Sequence, residues 1–180
     1  MPAGEPNDSS FIWGPEINGL DAAVEFVPEK EVYTQGEIIG IVFHIRNISG
    51  HRIQFTTSVW RQDIEGVIED FNGKVIQCNH NWYSGLPHII RIVLDPCEVS
   101  RIESSSFGVG GKRTKDFKHP VGSWVQLEPG RYLLHYKLRF PDIRSTAFPS
   151  EPDDWTGILE TGKRLLIVKA AEKEPNSPGK

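Results

Sequence analysis

Hydrophobic and polar positions alternate most clearly between residues 130 and 140. Every second residue there is aromatic or aliphatic, namely Tyr132, Leu134, Tyr136, Leu138 and Phe140. Side chains of a strand point alternately to its two faces, so this period of two predicts a half-buried antiparallel strand. The Pro129-Gly130 pair before it predicts a tight turn, because proline presets φ and glycine tolerates a positive φ.

The same alternation recurs along most of the sequence. It predicts further strands at residues 20–26, 39–45, 53–60, 64–76, 89–94, 99–107 and 163–167. The Asn72-Gly73 pair inside one of these segments predicts a β-hairpin. No segment shows a helical period over ten or more residues, although residues 116–124 leave room for one short turn. The pattern therefore predicts an all-β fold: an immunoglobulin-like antiparallel β-sandwich of seven to nine strands.

Tyr132 follows the Pro-Gly turn at the spacing of a tyrosine corner. In that motif the tyrosine hydroxyl bonds back to the backbone of the turn that precedes it. The alternative is that Tyr132 is an ordinary aromatic residue of the core. Both interpretations place its ring inside the sandwich.

Length and composition indicate one domain with two tails. A chain of 180 residues with 38% hydrophobic residues is long enough to bury a core. We predict a flexible segment at residues 1–12, the sandwich at residues 13–169 and a flexible tail or linker at residues 170–180. The first residues show no signal-peptide pattern. A cytoplasmic location is therefore expected if the chain is complete, and none is assigned if it is a fragment of a larger protein.

Several short segments of the sequence resemble segments of a known type of domain. They are Gly36-Glu37 before an Ile-rich strand that ends at Asn47, the turn after Leu94, the Pro129-Gly130 turn, and the segments at residues 13–20 and 154–157. In these the chain resembles bacterial immunoglobulin-like accessory modules of uncharacterised function. Its strand-and-turn order is also similar to that of the bacterial intracellular proteinase inhibitor family. The resemblance spans residues 13–168 and implies the sandwich fold, with inhibition through a loop as one activity.

Charge and hydropathy argue against two classes of partner. The net charge of −4 and the pI of 5.9 do not suit a general nucleic-acid binder, which needs a basic excess. The longest apolar run, residues 38–45, is far shorter than the roughly 20 residues that a membrane span requires. We therefore expect neither nucleic acid nor a membrane span, and a protein as the partner. The oligomeric state stays open.

The sequence contains no convincing constellation for catalysis or metal binding. It has neither a His-Glu-x-x-His nor a Gly-x-Ser-x-Gly motif. Cys78, His80, His88 and Cys97 are donors of the types that zinc prefers, but their spacing matches none of the usual zinc patterns. We expect no enzyme activity, no cofactor and no metal. The two cysteines are interpreted as free thiols, with a Cys78–Cys97 disulfide or a metal site as the open alternatives.

The loops supply the candidate binding residues. Trp82 and Tyr83 fall in the loop at residues 79–87, and Trp155 falls in the loop before the last strand. Lys112 and Arg113 belong to a basic cluster on an otherwise acidic chain. We expect these five side chains to contact a protein partner from one end of the sandwich, with the aromatic rings as anchors. The chain is thus predicted to be a non-catalytic interaction module; the alternatives are a proteinase inhibitor acting through a loop, or a carbohydrate-binding module using exposed Trp.

Overall fold

The computed structural model describes residues 11–58, 64–76, 89–109, 123–125, 127–140 and 154–171. These residues form twelve β-strands and no helix. The strands are β1 (Leu20–Val27), β2 (Tyr33–Thr34), β3 (Ile38–Asn47), β4 (Ile53–Ser58), β5 (Ile64–Asp70), β6 (Val75–Ile76), β7 (Ile89–Leu94), β8 (Val99–Val109), β9 (Ser123–Val125), β10 (Gly130–Phe140), β11 (Gly157–Glu160) and β12 (Arg164–Lys169). Within this part of the chain, no helix is suited to crossing a membrane.

The strands form two facing sheets and a small third one. The first sheet has the order β1-β3-β8-β9, and the second has the order β2-β12-β10-β5-β6, with β11 also paired to β10. Strands β4 and β7 pair with each other. The neighbours β1-β3-β8 and β5-β10-β12 correspond to the A-B-E and C-F-G strands of an immunoglobulin fold. The predicted all-β, immunoglobulin-like sandwich is confirmed.

Three short strands are absent from the sequence prediction. They are β2, β9 and β11, with two, three and four residues respectively. Such segments are too short to show a period of two on their own, and they become strands because a longer neighbour offers a free edge. Strands β2 and β9 pair in parallel with β12 and β8, whereas the other strand pairs are antiparallel.

The core lies between the two large sheets. The predicted inward set of β10 is buried throughout, since Tyr132, Leu134, Tyr136, Leu138 and Phe140 are at most 7% exposed. These side chains meet the apolar positions of the first sheet, and the rings of Phe43 and Tyr136 make an edge-to-face contact with centroids 5.1 Å apart. Burial of this apolar surface is the main driving force for the fold.

The first sheet is covered on its outer face as well. Ala23 and His44 point away from the core, yet they are 0% and 2% exposed. A segment at residues 11–16 covers this face: the ring of Phe11 lies 4.2 Å from the His44 ring, and the Gly14 amide donates to the carbonyl of Ala22 at 2.8 Å. Phe11 is therefore part of the packed structure. Residues 1–10 and 172–180 lie outside the described residues, so the proposed division into sandwich and tails stays a prediction.

Strand β10 connects two ends of the molecule. We call the end at Gly130 the corner end and the end at Phe140 the far end. The eleven residues of β10 separate them by about 33 Å at the usual rise per residue. Gly130 pairs with Val168, and β12 is joined to the first sheet through Gln35 and Gly36, whose amides donate to Lys169 and Val109. Val109, at the end of β8, therefore belongs to the corner end.

Candidate functional site

A tyrosine corner anchors the turn at the corner end. The Tyr132 hydroxyl donates to the backbone oxygen of Glu128 at 2.7 Å, and the ring is 7% exposed. Burial raises the pKa of the Tyr132 hydroxyl, and the carboxylates of Glu128 and Asp70 add to the increase. The phenol therefore stays protonated and continues to donate this bond. The sequence prediction of a tyrosine corner is confirmed.

A β-hairpin lies next to this corner, because Asp70 pairs with Tyr132 across β5 and β10. Its tip is held by the Asp70 carboxylate, whose Oδ1 accepts from the amides of Asn72 at 2.8 Å and Lys74 at 2.9 Å. The Lys74 amide, followed by that of Asn72, holds the pKa of Asp70 below its usual value. Gly73 adopts a φ of 79°, which glycine tolerates without strain. These bonds stiffen a turn that projects into solvent.

The hairpin tip presents an exposed aromatic ring. The Phe71 side chain is 57% exposed, and the Arg131 guanidinium lies 5.0 Å from the centre of its ring. Exposed aromatic and arginine side chains on a stiff support have the character of interface hot spots. The sequence analysis predicted the hairpin and missed Phe71. The available signal was an aromatic residue directly before the Asn-Gly pair.

Four of the five predicted contact residues fall outside the described residues, namely Trp82, Tyr83, Lys112 and Arg113. The strand ends that flank the last two are described. Strand β8 ends at Val109 at the corner end, and β9 begins at Ser123, which pairs in parallel with Phe107. The chain therefore leaves β8 at the corner end before Lys112 and Arg113, and it enters β9 beside Phe107, two residues before that end.

Trp155 lies at the far end instead. It precedes β11, whose Gly157 pairs with Phe140, and the Trp155 and Phe140 ring centroids are 5.5 Å apart. The expectation that the three candidate loops leave the sandwich from one end is therefore corrected. Strand register is the physical reason, because the loop after β10 and the loop after β8 begin at opposite ends.

The indole of Trp155 is half-buried against the core. Phe55 and Phe140 make an edge-to-face pair at 5.0 Å, and Trp155 extends this cluster. A methyl group added at Gly157 would lie 2.9 Å from the indole, so the ring occupies space that glycine leaves open. The buried indole N–H has no hydrogen-bond partner among the described residues. Trp155 is thus a packing residue in addition to being a predicted contact.

A buried carboxylate lies beside this cluster. The side chain of Asp154 is 3% exposed, and its Oδ2 accepts a bond from the Thr56 hydroxyl at 3.2 Å. The Arg91 guanidinium lies 3.7 Å from the same oxygen. A cation and a hydroxyl compensate the buried charge, and both join the 154–155 segment to β4 and β7. This arrangement explains the position of the segment.

Of the four zinc-type donors in the sequence analysis, Cys97 is the one that lies among the described residues. Its thiol is free and exposed, and the residue has a φ of 66° in the turn between β7 and β8, where its amide donates to Asn47. Cys78, His80 and His88 lie outside the described residues. Among the residues that are described, no group of three or more His, Cys, Asp or Glu is arranged to hold a metal ion.

No family model matches the sequence, and no curated protein matches it. Solved structures are similar to it, and two of them are described below. One is the CARDB domain of a Pyrococcus furiosus protein in complex with di-metal ions, at 12% identity and a TM-score of 0.34, over 88% of this chain and 91% of that one. The other is a β-glucosidase from Listeria innocua in complex with gluconolactone, at 15% identity and a TM-score of 0.29. That match covers 79% of this chain and 16% of the glucosidase. At these TM-scores neither likeness supports an inference about function.

Proposed function

We propose that the chain is a non-catalytic interaction module that presents loops to a protein partner. The observation that carries this proposal is the hairpin tip, where the Asp70 carboxylate stiffens the turn and Phe71 stands 57% exposed. An aromatic anchor on a preorganised support binds with less loss of conformational entropy than one on a mobile loop. Arg131 beside it supplies a cation in the same place.

The five predicted contacts remain part of the proposal, divided between the two ends. Lys112 and Arg113 are proposed to steer an acidic partner toward the corner end, near Phe71. Trp155 is proposed as a separate contact at the far end. Trp82 and Tyr83 are proposed as further anchors, without assignment to either end.

Affinity capture from a lysate of the source organism tests the proposal. The intact chain is compared with a corner variant (Phe71→Ala, Lys112→Ala and Arg113→Ala) and with a matched control (Lys137→Ala and Arg139→Ala) that removes two cations elsewhere. Circular dichroism checks that all three fold. We expect a protein retained by the intact chain and the control but lost by the corner variant. If the intact chain retains no protein, the proposal fails.

The stiff tip also favours a second candidate function, inhibition of a proteinase by a loop. An inhibitory loop must resist rearrangement in the protease cleft. The hydrogen bonds from two backbone amides to the Asp70 carboxylate provide such resistance. A panel of proteinases assayed with the intact chain and with Phe71→Ala tests it. Inhibition that Phe71→Ala abolishes supports this function, and no inhibition across the panel contradicts it. Carbohydrate binding through exposed Trp stays a prediction.

A further inference from the structure

The outer face of the second sheet is divided into two chemically different halves. Alternation along β10 sends Tyr132 and Leu134 into the core and sends Arg131 and Leu133 outward. The same alternation sends Leu165 and Ile167 of β12 outward, because Leu166 and Val168 are buried. This face is distinct from the loops that carry the predicted contacts.

At the corner end this face is mostly apolar, although Glu69 also lies on it. Leu133 pairs with Leu165 on one side and with Glu69 on the other, and Glu69 pairs with Val75. The row therefore crosses four neighbouring strands. The name apolar half is used here for five side chains of this face: Phe71, Val75, Leu133, Leu165 and Ile167. Three of these side chains, Phe71, Val75 and Leu165, are 57%, 56% and 41% exposed. Clustered apolar exposure of this kind marks interaction sites on protein surfaces.

Toward the far end the same face is covered by ion pairs. Arg139 pairs with Glu65 at 3.2 Å and Lys137 with Glu160 at 3.8 Å. At the border of the two halves, Lys163 pairs at 2.7 Å with Glu69, the cross-strand neighbour of Leu133. Acids and bases are thus matched one to one in this charged half. Matched, exposed pairs of this kind keep the surface hydrated and offer no net charge to a partner.

Arg131 differs from the cations of the charged half. It projects from the apolar half beside Ile167, its partner across β10 and β12, and its guanidinium rests on the Phe71 ring. Among the described residues it makes no ion pair with a carboxylate. A cation surrounded by apolar side chains is complementary to an acidic group that arrives on an apolar segment.

We propose that the apolar half binds a segment of another protein that carries apolar side chains and a carboxylate, with the carboxylate paired to Arg131. This inference rests on the proposed function as an interaction module and moves the principal contact from the loops to the sheet face. The tails of this chain lack the required chemistry, since residues 1–10 and 172–180 contain no aromatic residue and no Leu, Ile or Val. A second copy that pairs about a two-fold axis at Arg131 would bring two cations together, so it fits this surface less well than an acidic segment does.

Selection from a displayed library of random peptides tests the inference with the full chain as bait. We expect enriched peptides to combine apolar residues with an Asp or Glu. Their affinity should fall at least about tenfold on Arg131→Glu and on Leu165→Ser, as for a hot spot. Arg139→Glu is the matched control, an exposed arginine on the charged half of the same face, and should leave binding unchanged. Selection repeated on Arg131→Glu should enrich Lys or Arg at the position of the acid.

Each other outcome overturns the inference. Peptides that bind Arg131→Glu and Leu165→Ser as well as the intact chain place the contact elsewhere, and so does the absence of any enriched peptide. A dimer in sedimentation equilibrium that Leu165→Ser dissociates would make a second copy the occupant. A further outcome is a lysate protein that is lost by a Lys112→Ala and Arg113→Ala variant but retained by Arg131→Glu. That result would support the interaction function and would contradict binding at the apolar half. Capture of nothing by the intact chain contradicts the function itself.

Discussion

At the scale of single residues, a few side-chain bonds join distant parts of the backbone. The Tyr132 hydroxyl joins β10 to the turn before it. The side-chain amide of Asn47 donates to the backbone carbonyls of His51 and Leu94, at 2.8 and 3.0 Å. Both side chains are almost completely buried, at 7% and 0% exposure. Buried polar groups of this kind hold a structure in register because leaving them without a partner costs free energy.

We predict that Tyr132→Phe lowers the free energy of unfolding by about 1 kcal/mol, the usual net value of one such hydrogen bond. The ring stays in the core, so the loss reports on the hydroxyl and the Glu128 carbonyl alone. Urea unfolding followed by circular dichroism measures it. A variant as stable as the original protein would show that the bond contributes nothing to the corner.

His135 is expected to make stability depend on pH. It lies on the outer face of β10, yet it is 6% exposed, near Lys163, Lys137, Glu69 and Glu160. Burial lowers the pKa of its imidazole below the ordinary value of 6.5, with Lys163 the next cause. The unfolded chain therefore takes up this proton at a higher pH than the folded chain does. The contribution of His135 to stability is complete above pH 6.5. It decreases as the pH falls below 6.5 toward the pKa of the folded state.

The test compares the original protein with His135→Gln in urea at pH 7.5 and 5.5. We expect the original protein to lose more stability over this interval than the variant does. Comparing the change within each protein removes any effect of the substitution that is independent of pH. Equal losses in both proteins would show that His135 does not contribute to the pH dependence.

At the scale of elements, the segment at residues 11–16 closes the edge between the two sheets. The bridge between Ala22 and Thr161 brings β1 close to the end of β11, and the segment passes directly beside it. A Cβ added at Gly14 would overlap the backbone oxygen of Glu160, and one added at Gly162 would overlap that of Ile12. Two glycines therefore permit the backbones to approach this closely.

We predict that Gly14→Ala displaces the segment, because the new methyl group would overlap backbone atoms of Glu160. Hydrogen exchange measured by mass spectrometry should show faster exchange in peptides that cover residues 11–22. Gly50→Ala is the control, since its added Cβ would have no atom within 4 Å. Unchanged exchange in Gly14→Ala would mean that the segment does not depend on this close approach.

At the scale of the whole molecule, the sandwich keeps its two ends apart. The corner end carries the stiff hairpin and Val109, the last residue of β8 before Lys112 and Arg113, whereas the far end carries Trp155 and its aromatic neighbours. A separation of about 33 Å along β10 means that a substitution at one end should not disturb the other directly. Binding and stability are therefore expected to be separable.

We predict that Trp155→Ala lowers the free energy of unfolding by about 3 kcal/mol, the lower limit for truncation of a buried aromatic side chain, because the indole is half-buried. Below its midpoint of thermal unfolding, the variant should still bind any partner that requires Phe71. Ile158→Ala is the control, an exposed residue of the adjacent strand that should change stability by less than about 0.5 kcal/mol. If Trp155→Ala is as stable as the control, the indole is available as a surface contact.

The sequence by itself determined the features that depend on near neighbours in the chain. The alternation of β10, the Asn72-Gly73 hairpin and the bond from Tyr132 to Glu128 all follow from residues within a few positions of one another. A strand's period and a turn's φ values are local properties.

Tertiary structure alone decided the rest. The pairing of β2 with β12, the cover formed by residues 11–16, and the placement of Trp155 and Val109 at opposite ends depend on contacts between residues far apart in the sequence. The same is true of the apolar half, whose members come from β6, β10 and β12 and the hairpin turn. In the sequence each is an isolated hydrophobic residue, and strand register alone makes them a surface.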